Sequence, residues 1–324
     1  MDIMRSQISF LKFLSPLLLI SMLLSACAVN ATSEKQSLKV AVLPIIDSLP
    51  MYVALEEGYF EKYDLMVELV PVGSAPERDQ LIAAGQVDGM INELLSTMMN
   101  NREETSVQVV RYARAATSDT PLFSILASQQ SGITNLDDLK GEKIGISEGT
   151  VIAYLTDRLL QLEGFTAEEI QTVAVPKIPD RMALLGSGEL PAAMMPEPLS
   201  TLLALQGAKI VLDDTSHPEI SYSTITFRKA VIDEKPKAVS AFLMGIEDAV
   251  EAINNDPQKY EQVLIDNNIL PPPLHGNFEV PQFVTAGVPT QAQFDDVLAW
   301  AKEKGMLETD VPYDRCVNDG FLPK

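Results

Sequence analysis

VELVPVGSAPERDQLIAAGQVDGMINE, Val67 to Glu93, reads as a strand, a glycine-containing turn, a helix and a second strand. Further on, QTVAVPKIPDRMALLGSGELPAAMMPEP, Gln171 to Pro198, follows the same plan. A shift of 103 residues lays Pro76 on Pro179, Glu77 on Asp180, Arg78 on Arg181, Leu81 on Leu184, Gly85 on Gly188 and Val87 on Leu190, six like pairs in twelve positions. So long a period excludes a solenoid, whose units repeat every ~20–50 residues, and suits two α/β lobes of similar build facing one cleft.

Working outward, Leu38–Ile45 (LKVAVLPI) is an apolar run suited to a parallel strand buried on both faces. Leu49–Phe60 predicts a helix with Pro50 in its first turn. Strand Met66–Pro71, helix Glu77–Ala84 and strand Val87–Ile91 follow, then helix Leu94–Asn100 and strand Val107–Arg111. This alternation implies right-handed crossovers and a doubly wound parallel sheet whose carboxyl strand ends line a crevice. Pro121–Ser128 is expected to cross into a second lobe, which opens with strand Glu142–Ser147 and a helix from about Thr150 and ends after strand Lys209–Leu212. Ile220–Phe227 alternates as a returning strand should, and Pro236–Ala252 and Gln291–Lys304 are amphipathic helices separated by the proline-rich, irregular Leu270–Pro289. The expected fold class is α/β, with two doubly wound lobes joined by two crossing strands. The first lobe takes 38–122 and 223–324, and the second 123–222.

The 324 residues are 46% hydrophobic, ample for packed cores, and carry 24 Lys plus Arg against 45 Asp plus Glu, a net charge of −21. A phosphate backbone needs basic stripes, which are absent, so nucleic acid is excluded as a partner; the acidity suits an extracytoplasmic protein kept in solution. Arg5 and Lys12 precede an apolar stretch, Phe13–Leu24, and 1–26 reads as a secretory signal too short for a confident membrane span. Its end, Leu24-Ser25-Ala26-Cys27, resembles the bacterial lipobox. That resemblance implies lipidation of Cys27, with two or three acyl chains sufficing for a stable anchor on the outer side of a membrane; the bland alternative is an ordinary signal with a chance cysteine. Residues 27–37 read as a tether. With only Cys27 and Cys316 no disulfide framework is expected, and Cys316 reads as a buried or partly buried thiol.

LPIIDSLPMYVALEEGYF, AAGQVDG and ITNLDDLKGEKIGISEGT resemble solute-binding proteins of bacterial ABC importers, in the group that takes thiamine pyrimidine precursors, alkanesulfonates, taurine and nitrate, with riboflavin-binding lipoproteins beside them. The resemblance covers nearly all of Leu38 to Trp300. It implies a type II periplasmic-binding-protein fold that closes by hinge motion on one small molecule, presents it to a permease with its ATPase, and acts as a monomer without cofactor.

A ligand at the strand ends would meet Asp47 and Ser48, Gly73 and Ser74, and Asn92 and Glu93 from the first lobe. The second lobe would offer Ser147, Glu148, Gly149 and Thr150, Ile178 and Pro179, and Pro196 to Pro198 around Glu197; Tyr222 and Ser223 lie near the hinge. Thr150 and the free N–H groups at its helix start suit an anionic or carbonyl oxygen, or else Thr150 only caps the helix. Asp47, Glu93 and Glu197 repel a small oxyanion and suit amine, amide or hydroxyl donors, or else they are solvated loop carboxylates. Asn92 suits a pyrimidine-like edge, or a turn. Tyr52, Tyr112, Tyr154 and Tyr222 offer stacking faces, as the pairs Met98–Met99 and Met194–Met195 offer pocket walls, although core packing explains most of them. The expected ligand is a neutral nitrogen heteroaromatic, a thiamine pyrimidine precursor or riboflavin, with sulfonate, taurine or nitrate second. His217 and His275 have no ligand-spaced neighbours, so no metal is expected. Gly145-Ile-Ser-Glu-Gly149 spells the G-x-S-x-G of a nucleophile elbow, which keeps a Ser147 hydrolase as an alternative of another class. A membrane-anchored sensor using the same cleft is a third.

Overall fold

The computed structural model describes residues 36–323. The signal segment, Cys27 and residues 28–35 of the tether lie outside the described residues. In chain order, the first lobe has strand β1 (Gln36–Val42), helix α1 (Leu49–Glu56), β2 (Leu65–Pro71), α2 (Ala75–Ala83), β3 (Gly89–Asn92), α3 (Leu94–Asn100) and β4 (Val107–Ala115). The second lobe has β5 (Phe123–Ala127), β6 (Lys143–Ile146), α4 (Val151–Leu162), β7 (Gln171–Ala174), α5 (Ile178–Ser187), β8 (Ala192–Pro196), α6 (Leu199–Leu205) and β9 (Lys209–Asp213). The chain then returns through β10 (Tyr222–Arg228), α7 (Pro236–Asn255) and α8 (Gln291–Glu303) to the first lobe. No helix among the described residues is long and apolar enough to cross a membrane.

The two sheets have orders β2-β1-β3-β10-β4 and β7-β6-β8-β5-β9. The two copies of the repeat, β2-α2-β3 and β7-α5-β8, thus occupy the same places in different sheets. The conserved punctuation of the repeat has a local cause. Pro76 and Pro179 sit in the first turns of α2 and α5, where a missing N–H costs nothing. Gly85 and Gly188 follow those helices at φ +68° and +83°, the left-handed exit that a side chain disfavours.

Neither sheet is wholly parallel, as the sequence pattern alone implies it should be. β1 pairs in parallel with β2 and β3, but β10 runs antiparallel between β3 and β4. In the second sheet β5 likewise runs antiparallel between β8 and β9. The reason is topological. A chain arriving from the other lobe enters at the cleft, beside the carboxyl ends of the parallel strands, and must run away from it; Thr224 therefore pairs with Asn92, and Phe123 with Pro196. This central position also buries Tyr222 through Phe227 without interruption, so the alternation of Ile220–Phe227 does not mark a solvent face.

Around the first sheet, α7 buries a helical stripe of Val239, Phe242, Leu243, Ile246, Ala249, Val250 and Ile253. Phe242 stacks on Phe60 at 4.9 Å and meets Phe227 edge-on at 5.3 Å; each such ring contributes about 1.5–3 kcal/mol by leaving water. In the second lobe α4 buries Leu155, Leu159 and Leu160. The lobes also touch. Ile46 N–H donates to Glu197 O at 3.3 Å and Ile178 N–H to Gly73 O at 3.4 Å, which closes the cleft at two points. Away from it, α4 is strapped to α8: Arg158 and Tyr154 both bond Asp296, at 2.8 and 2.5 Å, and Trp300 Nε1–H donates to Asp157 at 2.6 Å with Lys304 at 2.9 Å. Trp300 is therefore a polar anchor of that strap as well as a core residue.

Candidate functional site: a cleft between the two sheets

The carboxyl ends of β1, β3, β6 and β8 meet around a narrow cleft of about 50 Å³. Leu43, Ile45, Ile91, Phe123, Val151, Ile152, Pro176, Ile178 and Pro196 make its apolar walls, and Asp47, Arg78, Asn92, Glu93, Ser147, Thr150, Arg181 and Ser223 its polar points. Eight of the residues expected from the sequence are thus brought together: Asp47, Asn92, Glu93, Ser147, Thr150, Ile178, Pro196 and Ser223. Ser48, Ser74, Glu148, Glu197 and Tyr222 are not.

Each of those five has a local explanation. Ser48 Oγ–H closes its own turn by donating to Leu43 O at 2.9 Å. Ser74 caps α2, accepting from Glu77 N–H, while Glu77 reaches back to Gly73 N–H at 2.9 Å. Glu148 is exposed. Glu197 accepts from Ser200 Oγ at 2.5 Å and Thr201 Oγ1 at 2.8 Å, spending both oxygens on the start of α6. Tyr222 lies in a small adjoining hollow that shares Glu93 and Val151 with the cleft. Of the other tyrosines, Tyr154 joins Tyr222 there, and neither Tyr52 nor Tyr112 lines the cleft.

Within the cleft, polar groups divide into spent and unspent. Asp47 is spent: Ser223 Oγ–H donates to it at 2.6 Å and Arg114 Nη1 stands 3.4 Å away, fixing the loop after β1 to β4 and β10. Thr150 is spent as well, capping α4 through Ile152 N–H at 3.2 Å and donating to Ser147 O at 2.8 Å. Asn92 donates through Nδ2 to Thr97 at 3.0 Å, but its buried Oδ1 has no partner. Glu93 caps α3, Oε2 accepting from Ser96 N–H at 2.9 Å, and its Oε1 has none. Burial drives the Glu93 carboxyl up to about 7, against the pull of Arg78. Ser147 Oγ is buried and also without a partner.

Arg78 and Arg181 are the residues the strand-end reasoning missed. They are matched members of the repeat and do matched work. Arg78 donates to Ile91 O at 3.2 Å and Arg181 to Met194 O at 2.9 Å, each thirteen residues on, tying helix to following strand. Their charges are handled differently. Arg78 Nη2 lies 2.8 Å from Asp79 Oδ1 and 3.6 Å from Glu93 Oε1, in poor directions for a hydrogen bond but well placed for an ion pair. Arg181 has carbonyl partners only, Met194 O and Val175 O, with no carboxylate within ion-pair reach among the described residues; its Nη2 is buried and unpartnered. Burial alone pulls its pKa down to about 10. The sequence signal was a basic residue on the buried side of an amphipathic helix in both copies, four before Ile82 and Leu185.

His217 Nε2 faces Glu163 at 3.3 Å and His275 Nε2 faces Leu270 O at 3.0 Å, and neither lines the cleft. No histidine among the described residues therefore stands beside Ser147, whose Oγ has no hydrogen-bond partner. Cys316 is buried against Asn101 with its thiol pushed up to about 11, as an inert core thiol should be.

Residues 45–260 match the model of a family described as NMT1/THI5 like, two thirds of the chain, and the protein belongs to that family. A putative thiamine biosynthesis protein of Haemophilus influenzae is 23% identical over 222 residues, covering 68% of this chain and 69% of that one. A putative aliphatic sulfonates-binding protein of Bacillus subtilis is 27% identical over 251 residues, 74% and 73% of the two chains. Among solved structures, the alkanesulfonate-binding protein SsuA of Xanthomonas axonopodis pv. citri, bound to MOPS, superposes with a TM-score of 0.72 at 16% identity, covering 87% of this chain and 98% of that one. The fold is that of the periplasmic binding proteins.

Proposed function

We propose that this NMT1/THI5-like protein is the extracytoplasmic solute-binding component of an ABC importer, held to the membrane through Cys27, and that it captures one small organic molecule between its lobes for a permease and its ATPase. The observation that carries this reading is a buried cleft, built from matched elements of two sheets, whose polar points include several atoms with no partner in the protein. Buried polar atoms are seldom left unpaired, and a ligand is the economical partner here. Fold alone does not separate capture from catalysis; a Ser147 hydroxyl with no hydrogen-bonded base among the described residues favours capture. The relatives associated with thiamine synthesis and sulfonate binding point to ligands of modest size. Phe123 is the one aromatic side chain among the lining residues described, which favours a single small ring, such as a thiamine pyrimidine precursor, over the three-ring flavin. A sulfonate is the second reading, favoured by the uncompensated Arg181. The test is non-denaturing mass spectrometry of the mature protein from its native envelope, followed by calorimetric titration of the co-purified molecule. Stoichiometric, unmodified small molecule is expected; turnover of that molecule would sink the capture reading.

A further inference from the structure

The unpartnered polar atoms of the cleft differ between the lobes. On the first lobe they are two acceptors, Asn92 Oδ1 and Glu93 Oε1, and one donor, Arg78 Nη2, whose charge Asp79 and Glu93 answer at 2.8 and 3.6 Å. Asn92 has its amide orientation set by donation to Thr97, so it is the carbonyl oxygen that is left over. On the second lobe the unspent atoms are donors: Arg181 Nη2 and the Ser147 hydroxyl, both buried, beside the N-terminus of the twelve-residue helix α4.

The charge ledger runs the same way. Arg114 has Asp47 at 3.4 Å, and Arg78 has Asp79 and Glu93 at 2.8 and 3.6 Å. Arg181, fully buried, has no carboxylate within 4 Å among the described residues. An unpaired guanidinium is costly in the interior, and an anion beside it relieves that cost. A neutral heterocycle meets the demand of the first lobe only; a simple sulfonate or nitrate meets that of the second only.

Resting on the binding-protein reading above, we infer that the cleft takes a small amphoteric molecule, its amino or ring N–H groups against Asn92 and Glu93 on the first lobe and its oxyanion against Arg181 and Ser147 on the second. The two ligand chemistries that the relatives suggest separately are then combined in one molecule, and its orientation across the cleft is set by which lobe supplies which sign. Closure is linked to recognition of the whole molecule, because the uncompensated cation, Arg181, stands on the second lobe and the unpartnered acceptors on the first.

The test uses the mature protein, stripped of bound molecules by unfolding and refolding, and two probe sets read by calorimetry. One set is 2-aminoethanesulfonate with ethylamine and ethanesulfonate; the other is 4-aminopyrimidine-5-carboxylate with 4-aminopyrimidine and pyrimidine-5-carboxylate. In at least one set the amphoteric probe is expected to bind tenfold or more tighter than either half. Ser147→Ala, which breaks no hydrogen bond within the protein, is expected to weaken the oxyanion-bearing probes at least fivefold and leave the amine-only probe unchanged. Arg181→Gln is expected to do the same more strongly, and Ser147→Ala keeps the test decisive if that variant does not fold. Glu93→Gln is expected to weaken only the amine-bearing probes. Half-molecules binding as well as the whole, or Ser147→Ala and Glu93→Gln weakening the same half, overturn the inference. If a neutral or purely anionic molecule co-purifies and binds, the inference fails while the importer reading stands; if nothing co-purifies and no probe binds, both fail.

Discussion

Replacing Glu93 with glutamine should change how stability depends on pH. Burial raises the Glu93 carboxyl from 4.5 to about 7. Between those values the folded protein keeps a proton that the unfolded chain has released, so this group's contribution is greatest below about pH 4.5, declines as pH rises, and is flat above about pH 7. At about 1.4 kcal/mol per pH unit the interval corresponds to about 3 kcal/mol. Glu93 is only 3% exposed, so water screens little of it. Glutamine keeps an oxygen for Ser96 N–H, and Arg78 keeps Asp79 2.8 Å away. The variant should therefore gain on the native protein by about 3 kcal/mol between pH 4.5 and pH 8, or about 6 °C in Tm at roughly 2 °C per kcal/mol. The assay is urea and thermal unfolding of ligand-free protein across that range, reported as variant minus native. The subtraction removes Asp214, another buried carboxyl raised to about 6, which both proteins share. Parallel profiles would show that the Glu93 carboxyl is ionised in the folded state over this range, and would refute the account of burial raising it.

Glu197→Ala should cost about 1–3 kcal/mol of stability by freeing the Ser200 and Thr201 hydroxyls, with affinity for the co-purified molecule within about threefold by calorimetry; a tenfold loss would return Glu197 to the ligand site. Asp296→Ala removes the acceptor shared by Tyr154 and Arg158 and should loosen the strap between α4 and α8 by about 1–2 kcal/mol, seen as a larger ligand-free radius of gyration in small-angle scattering; no change in radius or unfolding midpoint would remove the strap from closure. Gly89→Ala would bring a Cβ within 2.5 Å of the fully buried Phe227 ring and should cost about 1–3 kcal/mol in urea unfolding; a neutral result would mean that the ring can retreat.

Much of this architecture is written locally, and the exceptions share a cause. Proline in the first turn and glycine at the exit are short-range signals, so the repeat placed α2 and α5 correctly from sequence. Asn92, Glu93, Ser147 and Thr150 were legible as cleft-lining because residues just past a buried parallel strand stand at the crevice. Glu197 and Ser74 hold such positions too, yet their oxygens go to hydroxyls or N–H groups three or four residues on, and a helix-capping oxygen cannot be told from a ligand-binding one without knowing where the helix begins. The antiparallel β5 and β10 were hidden because strand direction depends on which edge of a sheet the chain enters, a property of the whole path.

Arg78 and Arg181 were visible as a matched pair and unreadable as a site, for a physical reason that bears on how the cleft works. Both guanidiniums serve first as struts between a helix and the strand after it, a role the two segments share because it depends only on the repeat's own geometry. What differs is the surroundings. Position 79 supplies a carboxylate to Arg78, whereas its counterpart 103 residues on is Met182, and Glu93 has Pro196 in its place. Two substitutions outside the strut thus leave one lobe's arginine neutralised and the other's charged. If that divergence sets the polarity of the cleft, Met182→Glu should supply Arg181 with a counter-ion, raise stability in the absence of ligand, and weaken the oxyanion-bearing probes while sparing the amine-only ones. Loss of all probes together would instead mean that the new carboxylate had closed the cleft, and that the charge of Arg181 was never what the ligand reads.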